Sequence, residues 1–164
     1  MLGLGQSLPI SEFVNTFTNS TSLSLDGAGD YIRVYNTFQT TYRGSFSWSL
    51  WIKPDDGQPG AAEYLLGSDN ATDQDAFFIT LDTAGKIKID HEANNSYASY
   101  ITDAAVYADG AGAWKHIVVT VTKSSTTSYI IYVNGSAVAG TLTSAVTEAN
   151  HEDWTAAEDL FIGA

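Results

Sequence analysis

Apolar and polar positions alternate along most of this chain with the two-residue period of a half-buried strand. Phe46 to Lys53 shows it most cleanly. Phe46, Trp48, Leu50 and Ile52 fall on one face, and Ser47, Ser49, Trp51 and Lys53 on the other. Pro54 ends the run, because proline has no N–H to give to a ladder. Trp114 to Thr122 alternates in the same way, with Ile117, Val119 and Val121 on one side. Tyr129–Val133 and Ala137–Ala139 flank Asn134-Gly135, the strongest short hairpin signal in the sequence. Phe77–Asp82 and Lys86–Asp90 flank Thr83-Ala84-Gly85, which predicts a second hairpin with glycine where φ is positive. Shorter runs at Ser22–Asp26, Tyr31–Tyr35, Tyr64–Gly67, Tyr97–Thr102 and Leu160–Gly163 add further strands. Asp26-Gly27-Ala28-Gly29 reads as a turn, and Ser68–Asp75 and Asp109–Gly112 read as loops. No stretch sustains a 3.6-residue period, so at most a helical turn or two is expected.

About ten short strands with turns every 8–12 residues predict an all-β, antiparallel two-sheet sandwich. Trp48, Leu50, Ile52, Val119, Val121 and Ile131 are its expected core. Residues 1–20 lack the alternation yet hold seven bulky apolar side chains: Leu2, Leu4, Leu8, Ile10, Phe13, Val14 and Phe17. The chain therefore divides into an N-terminal arm, 1–20, and a sandwich domain, 21–164. The arm reads either as a loose tail or as a segment that docks on another subunit.

Charge narrows the partners. Seven Lys plus Arg against nineteen Asp plus Glu leave a net charge of −12. Such a chain repels phosphate backbones, which argues against nucleic acid. Only 16% of residues are charged, so Ser, Thr, Asn and Gly must dress the surface. The absence of Cys excludes disulfides, thiolate nucleophiles and Cys-bound metals. Met1–Ile10 lacks the basic start and unbroken apolar core of a signal peptide, and no apolar run is long enough for a membrane helix.

Candidate chemistry is sparse. Asp69, Asn70, Asp73 and Asp75 place four oxygen-bearing side chains within seven residues, a candidate calcium loop or simply a solvated acidic one. Trp51, Tyr97, Tyr100 and Trp154 are candidate platforms for a sugar ring, since flat aromatic faces stack on pyranose faces. His116 reads as a structural strand residue. No nucleophile elbow and no phosphate-binding glycine loop occurs.

Six segments in order resemble the laminin G-like jelly roll, a branch of the concanavalin A-like lectin/glucanase superfamily. They are SLSLDGAGDYIRV (Ser22–Val34), FSWSLWIKP (Phe46–Pro54), FFITLDTAGKIKI (Phe77–Ile89), WKHIVVTVTKSS (Trp114–Ser125), YIIYVNGSAVAG (Tyr129–Gly140) and LFIGA (Leu160–Ala164). The resemblance implies binding of sugars, proteins or lipids, often with calcium at the rim. Glucanase members use two carboxylates at alternating strand positions, but no Glu-x-Asp-x-Glu or Glu-x-Asp-x-x-Glu run is present. Pentraxin-like members place an Asp-Asn pair as at Asp69-Asn70, but take further ligands from a loop beyond the last strand. Domains of this kind also continue past the LFIGA-like strand, so an open sheet edge is expected here.

Two functions follow, neither enzymatic. The first is a structural or decorating subunit of a virion or surface assembly, a homo-oligomer or part of something larger. Its contacts would run through residues 1–20 and the open edge. The opening MLGLGQSL resembles the starts of some phage structural proteins. The alternative is a carbohydrate-binding module for cell-surface glycans. Either would work on a virion or outside a cell. A glycoside hydrolase is the third and weakest reading.

Overall fold

A computed structural model describes residues 21–26, 29–35, 38–70, 75–94, 96–152 and 159–163. The expected arm, 1–20, lies outside the described residues. In chain order the strands are β1 (Ile32–Val34), β2 (Phe46–Ile52), β3 (Glu63–Asn70), β4 (Asp75–Leu81), β5 (Ile87–Ala93), β6 (Ser96–Thr102), β7 (Lys115–Thr122), β8 (Ser128–Val133), β9 (Ser136–Val138), β10 (Gly140–Leu142) and β11 (Leu160–Ile162). Two short helices, α1 (Gln39–Tyr42) and α2 (Glu148–Glu152), complete the described elements. Every strand pairing is antiparallel, in a seven-stranded sheet ordered β1-β11-β3-β4-β5-β6-β10 and a four-stranded sheet ordered β2-β7-β8-β9. The expected two-sheet jelly roll is the fold.

Alternation builds the core. Phe77, Ile79 and Leu81 on β4 and Ile87 and Ile89 on β5 are fully buried against Ile117, Val119, Val121 and Ile131 from the facing sheet. Trp48, Leu50 and Ile52 point the expected way but are only partly buried, because β2 is the end strand of its sheet. Rings also bridge the sheets. Phe46 meets Phe77 at 5.0 Å, Phe77 meets His91 at 5.6 Å, and His91 shares a 2.9 Å hydrogen bond with the Tyr129 hydroxyl. That bond gives each of these two buried side chains a polar partner between the sheets.

Both hairpins form as the sequence predicts. Asn134 and Gly135 have φ of 50° and 82°, the paired positive values of a type I′ turn. At the β4–β5 turn the Asp82 carboxylate accepts the backbone N–H groups of Ala84 (2.9 Å) and Lys86 (2.8 Å).

Two expectations need correction. Ser22–Asp26 forms no strand; its half-buried Leu25 packs over Gly163 instead, while Leu23 points to solvent. Ser68–Asp75 is not one loop, since β3 runs to Asn70 and β4 begins at Asp75. Polar residues hold strand positions there because they are paired: inward-facing Asp75 is 1% exposed and accepts the Asn94 N–H at 2.9 Å. Beside the last strand, β1 is the end strand of the larger sheet among the described residues. The β11 strand lies between β1 and β3, with Ile162 opposite both Ile32 and Leu66. The chain also crosses between sheets after β9, and β10 closes the far side of the larger sheet against β6.

Candidate functional site

The seven-stranded sheet turns one face to the core and the other to solvent. Register sets the outward residues in rows. One row runs Arg33, Phe161, Gly67, Phe78, Asp90, Ser99 across β1, β11, β3, β4, β5 and β6. A second brings Asp69, Ala76, Glu92 and Tyr97 together, and a third brings Tyr64, Thr80, Lys88, Ile101 and Thr141 together. Small residues on it are covered. Thr80, Ala76 and Ser99 are 5%, 7% and 8% exposed although they point away from the core. Gly67 is buried beneath the Phe78 ring, which a Cβ at that position would strike. Tyr64 meets Phe78 edge to face at 5.1 Å. On this face covered small residues thus alternate with the exposed Tyr64 and Tyr97 and the half-buried Phe78.

Polar groups stand beside those rings. Lys88 and Asp90, two apart on β5, form a 2.8 Å ion pair, and the Tyr97 hydroxyl donates to the same Asp90 carboxylate. Burial and the neighbouring Asp90 both raise the Tyr97 phenol above its ordinary range, so it keeps its proton. Burial works against the Lys88 ammonium, but the hydrogen bond and charge of Asp90 outweigh it and raise its pKa. At the other end of the face, Arg33 pairs with Asp159 at 2.5 Å, and its guanidinium lies 4.5 Å from the Tyr35 ring centre. Rings, hydroxyls, carboxylates and ammonium thus share one surface, the combination that a ligand with apolar faces and hydroxyl edges requires.

The candidate residues scatter. Tyr97 lies on this face and is 44% exposed. Tyr100, three positions on, faces inward and stacks on Tyr129 at 6.3 Å. Trp51 is 60% exposed but belongs to the outer face of the other sheet, where it stacks on His116 at 5.1 Å while His116 Nε2 meets Ser49 Oγ at 2.7 Å. Trp154 lies outside the described residues, as does Asp73. The register also separates the calcium candidates: Asp69 stands opposite outward Ala76, whereas Asp75, opposite Asn70, points to the interior. The described residues contain no group of three or more His, Cys, Asp and Glu able to hold a metal. Sequence reading did not single out Tyr64, Phe78, Lys88, Asp90 and Glu92, which share this face with Tyr97. The signal existed, since inward Ile87 and Ile89 force Lys88, Asp90 and Glu92 outward.

A groove of about 360 Å³ opens elsewhere, between Thr102–Val106 and Val133, Val138 and Ala139. It has no aromatic wall. Its two charged residues are already engaged: Asp103 accepts the Thr141 hydroxyl and Lys115 donates to the Val106 carbonyl.

Comparison with known proteins agrees with this architecture. The CBM40 module of the Ruminococcus gnavus IT-sialidase, solved with α2,6-sialyllactose, superposes with a TM-score of 0.52 at 15% identity, covering 80% of this chain and 77% of that one. The same module with α2,3-sialyllactose gives 0.53 at 14% identity, covering 81% and 77%. At such identity the likeness is one of fold. No curated protein matches the chain. A family model described as the concanavalin A-like lectin/glucanases superfamily, of the laminin G type, matches residues 26–164. That match spans most of the sequence and coincides with the two-sheet jelly roll: the chain belongs to the concanavalin A-like lectin/glucanase superfamily.

Proposed function

We propose that this protein is a non-catalytic carbohydrate-binding module whose ligand lies on the outer face of the seven-stranded sheet. The observation that carries the reading is the gathering of Tyr64, Phe78 and Tyr97 beside the Lys88–Asp90 pair on that one face. A pyranose offers apolar C–H faces to the rings and hydroxyls to the polar groups. The solved neighbours, modules bound to sialyllactose, support glycan binding over the assembly reading. Asp90 and Glu92 both face outward, but Asp90 is held by Lys88 and Tyr97. Glu63, whose pKa burial and the charges of Asp56 and Asp55 raise, stands opposite inward-facing Leu81.

The experiment is a glycan array followed by titration of a labelled sample watched by NMR. Binding should perturb Tyr64, Phe78, Lys88 and Tyr97, with no cleavage of the oligosaccharide over a day. Tyr97→Ala and Phe78→Ala should weaken binding about tenfold or more, while Trp51→Ala leaves it unchanged. Melting temperatures of the variants separate lost affinity from lost folding. Shifts confined to the Trp51–His116 face would refute the placement.

A further inference from the structure

We infer that the outer face of the seven-stranded sheet selects neutral glycans and rejects acid-capped ones; the inference rests on the glycan-binding reading above. All seven Lys and Arg fall among the described residues, and the strands of the seven-stranded sheet contain two of them, Arg33 and Lys88. Each already faces a carboxylate: Arg33 pairs with Asp159 and Lys88 with Asp90. The register adds Asp69 and Glu92 to the same face, in line with outward Ala76 and Tyr97. An incoming carboxylate or sulfate would have to compete with Asp90 for Lys88, in the field of those acids and of a chain with net charge −12. It would also bring acceptors to a face that is already rich in acceptors. A sugar hydroxyl can donate to Asp69 or Glu92 and can still accept from Lys88. The Tyr97 proton is spent on Asp90, so it is not free for an anionic ligand either. This selectivity is the reverse of what the sialyllactose-bound neighbours display, in keeping with a shared fold that does not fix the ligand.

The test uses matched pairs on the full chain: lactose with its two sialyllactoses, and neutral gluco-, manno- and galacto-oligosaccharides with uronate-bearing counterparts. Each pair is titrated calorimetrically at low and at high salt. The neutral member should bind about tenfold or more tightly, and salt should narrow the gap by screening the acids. Asp90→Asn combined with Glu92→Gln should cut the preference by about tenfold through freeing Lys88. An acid-capped member that binds the unaltered protein more tightly overturns the selectivity and leaves the glycan reading standing. Failure of both members of every pair at millimolar concentration overturns the glycan reading and the selectivity with it.

Discussion

At the β4–β5 turn Gly85 has φ +74°, and a Cβ there would collide with the carbonyl oxygens of Tyr107 and Gly57. Its own carbonyl accepts the N–H groups of Val106 (2.7 Å) and Tyr107 (3.0 Å), tying the Asp103–Trp114 crossover to the turn. Gly85→Ala meets backbone strain and overpacking together, so it should cost about 3 kcal/mol or more in a denaturant titration. Tyr97→Phe probes the opposite case. It removes one hydroxyl from a residue 44% exposed, so the melting temperature should hardly move, while glycan affinity falls several-fold. Such differences explain what was legible residue by residue. The glycine of a three-residue turn announces itself. Tyr97 and Tyr100 looked alike as candidate platforms, and only their odd spacing on one strand hinted that they part to opposite faces. The outward Lys88, Asp90 and Glu92 were readable from the pleat but not from any motif, because their chemistry depends on Tyr97 reaching them from the next strand.

Single strands were the most legible elements. The β2, β7 and β8 runs appear within a residue of their expected bounds, since their alternation is set by burial of one face. The Asn134-Gly135 turn that joins β8 to β9 is tied back to β7: the Asn134 amide oxygen accepts the His116 N–H at 2.9 Å, and its own N–H donates to the His116 carbonyl at 2.8 Å. Asn134→Ala forfeits the first bond and places a strained residue at φ 50°, so it should cost about 1–2 kcal/mol and show first as loss of amide protection in β9. Position within a sheet grades the core in the same way. Ile79→Ala, on a central strand and fully buried, should cost about 2–5 kcal/mol. Leu50→Ala, on an end strand and only partly buried, should cost clearly less in the same titration. The extended ends of β3 and β4, and the whole of β10, escaped sequence reading. All but Leu142 of their residues are polar or small, and their strand state comes from partners elsewhere in the chain: Asn94 for Asp75, and β6 for β10.

For the whole molecule, buried tyrosines set the alkaline limit. Burial pushes the Tyr107 phenol up to about 12, and Tyr42 and Tyr129 are raised further by the same cause. Above about pH 10 the unfolded chain gives up phenolic protons that the folded one retains. Stability is therefore intact below pH 10 and is lost as pH rises toward the folded-state values, by up to about 1.4 kcal/mol per pH unit for each such tyrosine. Melting temperatures should fall steeply above pH 10, with tyrosinate absorbance from these rings emerging only on unfolding. The order β2-β7-β8-β9 has a different consequence, for solubility. Strand β2, FSWSLWI, is seven residues of ring, aliphatic and serine without a charge, and among the described residues only β7 pairs with it. Arg43 and Lys53 stand just outside its two ends, where they act as gatekeepers. At neutral pH the −12 charge also keeps copies apart. Acid removes that repulsion as the carboxylates take up protons, and an uncharged seven-residue edge is then left to template its own kind into fibrils. Precipitates formed on acidification should be β-rich and dye-binding, and Ser47→Lys, which sets a charge on the outer face of that strand, should keep the protein in solution through the same drop in pH.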